Sequence, residues 1–357
     1  MTDHVFIIAE GGVNHNGSLA RALDMVKAAA AAGADAVKFQ TFQAEKLVTP
    51  TASKAAYQQQ ATEDSGPQFA MLKALELDEA AHRALAAACG DLGVEFMSTA
   101  FDVESLAFLI ADIGVRRVKI PSGEVTNPLL LQAAGRSGLP VLLSTGMAPL
   151  DEIELALGAI AFGMSATDEP PGAAAFRGAL QRERPALLSR ATVLQCTTAY
   201  PAPPEDINLR ALDTLSATFG LPVGFSDHSL GMVLAVAAAG RGATVIEKHF
   251  TLDRSLPGPD HGASLEVDEL TRMIADIRMV ETALGTGAKE RRPSELDNVG
   301  LARRGVYAAR DLAAGEIIDV GDIALLRPES AISPMELWDI AGKPARRSYA
   351  KFEAIER

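Results

Sequence analysis

The segment Phe225-Ser226-Asp227-His228-Ser229 is followed by a small-residue helical stretch over 230–240 and then by Thr244-Val245-Ile246-Glu247-Lys248-His249-Phe250. His228 stands just past one short apolar run and His249 at the end of the next, with one helix between them. This reads as a strand, a helix and a second strand parallel to the first. Both histidines then arrive at the same ends of neighbouring strands, about 5 Å apart. Imidazole is a good ligand for Mn, Fe, Co or Zn. The polar neighbours Ser226, Asp227, Glu247 and Lys248 fit an apolar-core role poorly, so His228 and His249 are a candidate metal pair.

Outward from this unit, eight short β-branched or apolar runs occupy 5–9, 36–40, 94–99, 117–121, 141–145, 192–197, 223–226 and 244–249. Each ends in polar residues, and most lead into an alanine- or leucine-rich helical stretch. Strand then helix, eight times over, is the pattern of an α/β (β/α)8 TIM barrel, with roughly 22 to 30 residues between most strands. Helices are expected over 18–32, 78–90 and 268–284, each with a capping start and a glycine stop. Two intervals are longer. The polar stretch 46–67 is expected as a loop over the barrel mouth, and 163–184, rich in Pro, Gly and Ala, as a surface insertion away from the chemistry.

The barrel is expected to fill 1–285, with 286–302 as a polar, basic linker. The segment 303–357, which holds the only tryptophan, Trp338, reads as a second domain. At about 55 residues it is too small to be robust alone.

The chain has 357 residues and a net charge of -13. With no Lys/Arg-rich run to override that charge, nucleic acid and anionic lipid are poor partners. Cys89 and Cys196 lie far apart, giving neither a disulfide framework nor a thiolate metal site, and both read as core thiols. No apolar run approaches the ~20 residues that span a bilayer. The first residues lack the pattern of a secretory signal, so no membrane association and a cytoplasmic location are expected.

Catalytic groups of a TIM barrel come from the C-terminal ends of its strands. Those ends supply Glu10; Lys38 and Gln40; Thr99; Lys119, Ser122 and Glu124; Ser144 and Thr145; Thr197, Thr198 and Tyr200; Ser226 and His228; and His249. Two lysines among several hydroxyls describe a pocket for a phosphate and a carboxylate. Glu10 and Glu124 can handle protons or a water nucleophile, and a metal at the histidines can polarise a carbonyl. The set implies an anionic phosphorylated donor meeting an aldehyde. His15 is expected to face the mouth as a weaker candidate, and Asp260 suits a pair of sugar hydroxyls.

These residues sit in motifs that resemble the sialic acid synthase family over nearly the whole chain: Ile-Ala-Glu-Gly-Gly-Val-Asn-His-Asn-Gly (8–17), Val-Lys-Phe-Gln-Thr-Phe (37–42), Met-Ser-Thr-Ala-Phe-Asp (97–102), Lys-Ile-Pro-Ser-Gly-Glu (119–124), Leu-Ser-Thr-Gly-Met (143–147), Cys-Thr-Thr-Ala-Tyr-Pro-Ala-Pro (196–203), Phe-Ser-Asp-His-Ser (225–229) and Glu-Lys-His-Phe-Thr-Leu-Asp (247–253). The tail resembles the antifreeze-like SAF domain that ends these enzymes. The resemblance implies condensation of phosphoenolpyruvate with an N-acylated mannosamine-type sugar and water to a nine-carbon ulosonic acid. The acceptor would be N-acetylmannosamine or 2,4-diacetamido-2,4,6-trideoxymannose. His228 and His249 would bind a divalent ion, usually manganese, with magnesium or cobalt as alternatives. Lys38, Thr99, Lys119, Ser122, Ser144, Thr198 and Ser226 would hold phosphoenolpyruvate; Glu10, Gln40, Glu124, Tyr200 and Asp260 would face the sugar or the reacting centre. Arg327 would reach the partner's barrel in a domain-swapped homodimer.

Two features depart from the family. Thr198 stands where some relatives carry asparagine, and the segment after Arg327 lacks the glycines common there. Lys-Ile-Pro-Ser-Gly-Glu and Gly-Pro-Asp-His look closer to neuraminate and legionaminate synthases than to pseudaminate synthases. A Schiff-base aldolase using Lys38 or Lys119 is a rival on the same barrel. A carbohydrate- or ice-binding protein acting through the tail is a rival of another class.

Overall fold

The computed structural model describes residues 4–62, 66–165 and 167–357. Two compact units divide at 286/287, Met1–Thr286 and Gly287–Arg357.

In the first unit β1 (Phe6–Gly12), β2 (Ala36–Thr41), β3 (Glu95–Ala100), β4 (Val118–Ile120), β5 (Val141–Ser144), β6 (Ala191–Cys196), β7 (Val223–Asp227) and β8 (Val245–His249) close into a barrel. Neighbouring strands are parallel all the way round, β8 pairing back onto β1. Side chains alternate in and out. Ile8, Ala36, Met97, Leu142, Leu194 and Val245 form an apolar cluster of their own, the lower layer of the interior. The intervening residues, such as Val37, Phe39, Ile120, Val193 and Phe225, join the larger core beneath the helices.

Capping fixes the helices as expected, with local differences. Ser18 Oγ accepts from the Arg21 N–H, and the helix Leu19–Ala32 stops at Gly33 with φ of 86°. The helix Glu79–Leu92 starts at the Asp78 cap but runs past Gly90 to Gly93, whose φ of 72° supplies the left-handed turn. The stretch 46–67 is not a featureless loop. It holds the end of the short helix Ala44–Leu47, the helix Ala56–Thr62 and a bridge between Ser53 and Pro67; residues 63–65 lie outside the described part.

The stretch 163–184 also folds, within its described residues, as the end of the helix Leu150–Met164 and the helix Ala173–Arg182. Phe176 packs edge-on against Phe162 with centroids 5.5 Å apart. A Cβ at Gly158 would meet the Phe176 carbonyl oxygen at 2.5 Å. The flanking prolines and glycines conceal an alanine-rich helix former that docks into the core.

The second unit pairs β9 (Gly305–Ala308) with β10 (Ile323–Leu326) antiparallel. Its own core includes Val306, Leu312, Ile318, Ile332, Ile340, Tyr349 and Ile355. The expected linker is helical at Leu296–Ala302. Among the described residues no helix is long and apolar enough to cross a membrane.

Candidate active site

Two residues beyond the apolar layer, the same strands bring ions inward. Glu10 on β1 lies beside Lys38 on β2, the two paired in register, with Lys38 Nζ 2.7 Å from Glu10 Oε2. Lys38 also donates to Thr99 Oγ1 at 2.7 Å. On β8, next to β1, Glu247 lies 3.6 Å from Lys38 Nζ and reaches across the interior to 3.4 Å from Lys119 Nζ, and it accepts from Ser226 Oγ at 2.8 Å. All four charged groups are buried, so two ammonium and two carboxylate groups form one interlocked, nearly neutral cluster.

Burial is the largest influence on each member, and the neighbours decide where it leads. Burial raises Glu10 to about 7, with Lys38 pulling down and Glu247 pushing up. Glu247 is held at about 2 because Lys119, Lys38 and the Ser226 hydroxyl together overcome its desolvation. For Lys38 the two carboxylates outweigh burial and raise its pKa, whereas burial prevails at Lys119 and lowers it.

Sequence reading missed Glu247 as a site residue. It sits two positions below His249, and attention to strand ends passes over the residue one pleat deeper. Alternation would have found it, because Val245, Glu247 and His249 must share the inner face.

Above this cluster stand the two histidines, with ring centroids 5.4 Å apart. His228 donates from Nδ1 to the Thr197 carbonyl at 2.8 Å, the tautomer that leaves Nε2 as a free lone pair. His249 is held neutral, burial drawing its pKa well below the usual value. Its Nδ1 is buried with no hydrogen-bond partner and lies 4.0 Å from Asp260 Oδ2. Burial raises Asp260 to about 6. This donor pair fits a divalent ion. Among the described residues no group of three or more His, Cys, Asp or Glu side chains could hold a metal, and an ion held by this pair would need substrate or water oxygens to complete its shell.

Tyr200 stacks on His228 with centroids 4.1 Å apart and meets His249 edge-on at 5.7 Å. Tyr57, from the helix Ala56–Thr62, packs on Tyr200 at 5.0 Å; no sequence signal marked it. Cys196 proves to be more than a core thiol, with its Sγ 3.7 Å from His228 Nδ1.

On the other side Ser122 Oγ accepts from the Gly146 N–H at 2.9 Å. Gly146 has no room for a Cβ between the Ser122 and Thr198 hydroxyls, so those two side chains converge there. Ser144 Oγ is buried without a partner. Gln40 is half-buried at the end of β2.

Three candidates stand apart. Glu124 is half-buried in the short turn after β4 and accepts from Asn127 Nδ2 at 2.7 Å, outside the ion cluster. His15 does not face the mouth; it is buried against Phe39, on the outer side of β2. Arg327 belongs to the second unit, where it is exposed and precedes a cis proline.

The model of the NeuB family matches residues 25–289, and that of the SAF domain matches 303–351. The chain is 46% identical over 339 residues to N,N'-diacetyllegionaminic acid synthase of Legionella pneumophila, covering 94% of this chain and 89% of that one. It is 40% identical to the N,N'-diacetyllegionaminic acid synthase of Campylobacter jejuni, covering 98% of each. Among solved structures, the N-acetylneuraminic acid synthetase of Leptospira borgpetersenii in complex with citrate matches with a TM-score of 0.68 at 33% identity, covering 84% of this chain and 91% of that one.

Proposed function

This chain belongs to the NeuB family, and from that premise we propose that it is a legionaminate-type synthase. It joins phosphoenolpyruvate, 2,4-diacetamido-2,4,6-trideoxymannose and water into a nine-carbon ulosonic acid, releasing phosphate. The observation that carries this reading is the vertical arrangement of the barrel interior. Lys38 and Lys119 are interlocked with Glu10 and Glu247 directly below the His228–His249 pair. The choice of acceptor rests on the names of the two legionaminate relatives. A cytoplasmic location is part of this reading, supported by the use of phosphoenolpyruvate as donor.

In the mechanism, Lys38 and Lys119 neutralise the carboxylate and phosphate of the donor, and Thr99, Ser122, Ser144, Thr198 and Ser226 orient its oxygens. His228 and His249 would hold a divalent ion, manganese in our reading, whose contribution when bound is Lewis-acid polarisation of the acceptor carbonyl. Gln40, Tyr200 and Asp260 position the open-chain sugar so that C3 of the enol phosphate attacks its aldehyde carbon. Water then adds at C2 and phosphate leaves. Glu10 is committed to Lys38 at 2.7 Å, whereas Glu124 stands outside the ion cluster with Asn127 as its side-chain partner. With Glu10 engaged in fixing Lys38, Glu124 is our candidate to take the proton from that water.

The decisive experiment measures phosphate release from phosphoenolpyruvate with N-acetylmannosamine, its 6-phosphate and the diacetamido sugar, before and after metal stripping, with His228→Ala alongside. Release that is fastest with the diacetamido sugar, restored by manganese and lost in the variant is expected. No release with any of the three would sink the reading, and borohydride trapping of an adduct on Lys38 or Lys119 would put an aldolase in its place.

Met147 and Leu230, on the loops that leave β5 and β7, and Val233, at the start of the helix Val233–Gly240, are exposed, an apolar rim that suits cover by a second subunit. The partner's contribution would be Arg327. Mixing inactive Lys119→Met and Arg327→Ala homodimers should then restore about a quarter of wild-type activity through the mixed dimers. Failure to complement would return Arg327 to a surface role.

A further inference from the structure

Asp227 and Lys248 are the residues next to the two histidines, and both are fully buried. Because Ser226 and His228 face the barrel interior, as do Glu247 and His249, strand alternation turns Asp227 and Lys248 outward beneath the helices. There Lys248 feels the charge of Glu269 on the helix Val267–Leu284. Most of that layer is apolar, with Val37, Phe39, Val118, Ile120, Val141, Leu143, Val193, Phe225 and Ile246, and its buried polar members Thr41 and Ser98 are uncharged hydroxyls bonded to each other. An ion pair in such a place is weak evidence for stability, since apolar residues of similar volume usually serve as well or better. Its presence calls for another explanation.

The hydrogen bonds supply one. Lys248 Nζ donates to Asp227 Oδ2 at 2.9 Å and to the Ser229 carbonyl. Asp227 Oδ1 accepts from the Ser229 N–H at 2.8 Å and from Ser229 Oγ at 2.6 Å. Residues 227 and 229 are therefore both tied to one ammonium, and the residue bracketed between them is His228. The same ammonium belongs to the residue that precedes His249. In the ladder Asp227 pairs with Lys248, so the clamp sits at the last rung, just where β7 ends and His228 departs. The Ala202 N–H donates to the His228 carbonyl at 2.9 Å and holds the remaining side of that turn.

We propose that the Asp227–Lys248–Ser229 network is a positioning device that sets the separation and orientation of His228 and His249, and through them the affinity for the divalent ion. The inference rests on the metal reading of the two histidines and names residues outside the metal shell. Loss of outer-shell support typically weakens metal binding by about 10- to 100-fold.

The test compares the full-length protein with Asp227→Val/Lys248→Met, which removes both charges with little change in the combined volume. Two quantities are measured on metal-stripped protein: the unfolding midpoint, and the Kd for Mn2+ alone from the paramagnetic signal of the free ion. A midpoint near that of the wild type, with a Kd raised about 10-fold or more, is expected. A folded double variant with unchanged Kd would overturn the proposal and leave the pair a packing feature.

Should the double variant not fold, Ser229→Ala removes one strut, and a Kd raised about twofold to threefold is expected; an unchanged Kd again overturns the proposal. If the wild type itself binds no Mn2+, the metal reading fails, and the clamp is judged by 15N-histidine spectra. The His228 Nδ1–H bonded to Thr197 should shift or broaden in whichever variant folds. An unchanged resonance means that the clamp does not position the ring.

Discussion

Two layers of the barrel interior lie one pleat apart and have opposite chemistry. Ile8, Ala36, Met97, Leu142, Leu194 and Val245 make a hydrocarbon floor. Two residues further along the same strands stand Glu10, Lys38, Thr99, Ser144, Cys196 and Glu247, with Lys119 of β4 level with Thr99, all buried. The floor gains from leaving water, at about 25 cal/mol per Å2 of apolar surface. The upper layer loses several kcal/mol per ion on the same transfer, recovered only through partners. Its two lysines and two glutamates satisfy each other at 2.7 to 3.6 Å, an arrangement that an entering phosphate or carboxylate can share. A dry floor keeps the dielectric low, so the charges above it act at close to full strength.

The sharpest way to test this division is to separate the two carboxylates that sequence reading left as equals. Glu124→Gln should lower kcat by about 10²- to 10⁴-fold, as loss of a general base does, with little change in the KM for phosphoenolpyruvate or in thermal stability. Glu10→Gln should instead raise that KM by about 10-fold, because Lys38 loses its 2.7 Å partner. The reverse pattern in steady-state kinetics would move proton handling into the buried cluster.

The floor predicts an effect of another kind. Leu194→Ala should cost about 3 kcal/mol of unfolding free energy through the cavity it leaves, measured by denaturant titration, while kcat/KM stays within about twofold. A collapse of activity at preserved stability would mean that floor and upper layer are not separable.

The sequence made the barrel legible because eight β-branched or apolar runs each end in or lead straight into a polar residue, and the observed strands begin within one residue of those runs. The strand-end rule found His228, His249, Lys38 and Lys119 for the same reason. It passed over Glu247 of the ion cluster and Asp227 and Lys248 of the proposed clamp, because their contacts depend on which face of the strand they take and on what the neighbouring strand places opposite. Pairwise register is not written in any single segment. Tyr57 was hidden similarly: it is carried on a helix within a polar stretch and meaningful only through its contact with Tyr200. His15 was misplaced because a loop that follows a strand end can fold back behind the wall as readily as over the mouth.

His15 offers the smallest and most specific contrast with the upper layer, a titratable group buried without an opposite charge. It is 1% exposed and packed on Phe39. Burial, with the charges of His82 and Arg21 adding to it, lowers its pKa from 6.5 to about 4. A base whose folded pKa is depressed leaves stability intact above its unfolded value, and that stability drains away as pH falls from 6.5 towards 4. At pH 5 the loss should be about 2 kcal/mol, from the ratio of the two protonation functions. The buried ions above the floor keep partners, but His261 is also lowered to about 4 by burial, so the wild type alone cannot isolate His15. The difference between wild type and His15→Asn can, because His261 is common to both. The unfolding free energy of the wild type between pH 7.5 and pH 5 should fall about 2 kcal/mol further than that of the variant. Equal losses would mean that the His15 pocket opens to water before the proton arrives, and that hydrocarbon burial at this strand end is shallower than in the floor.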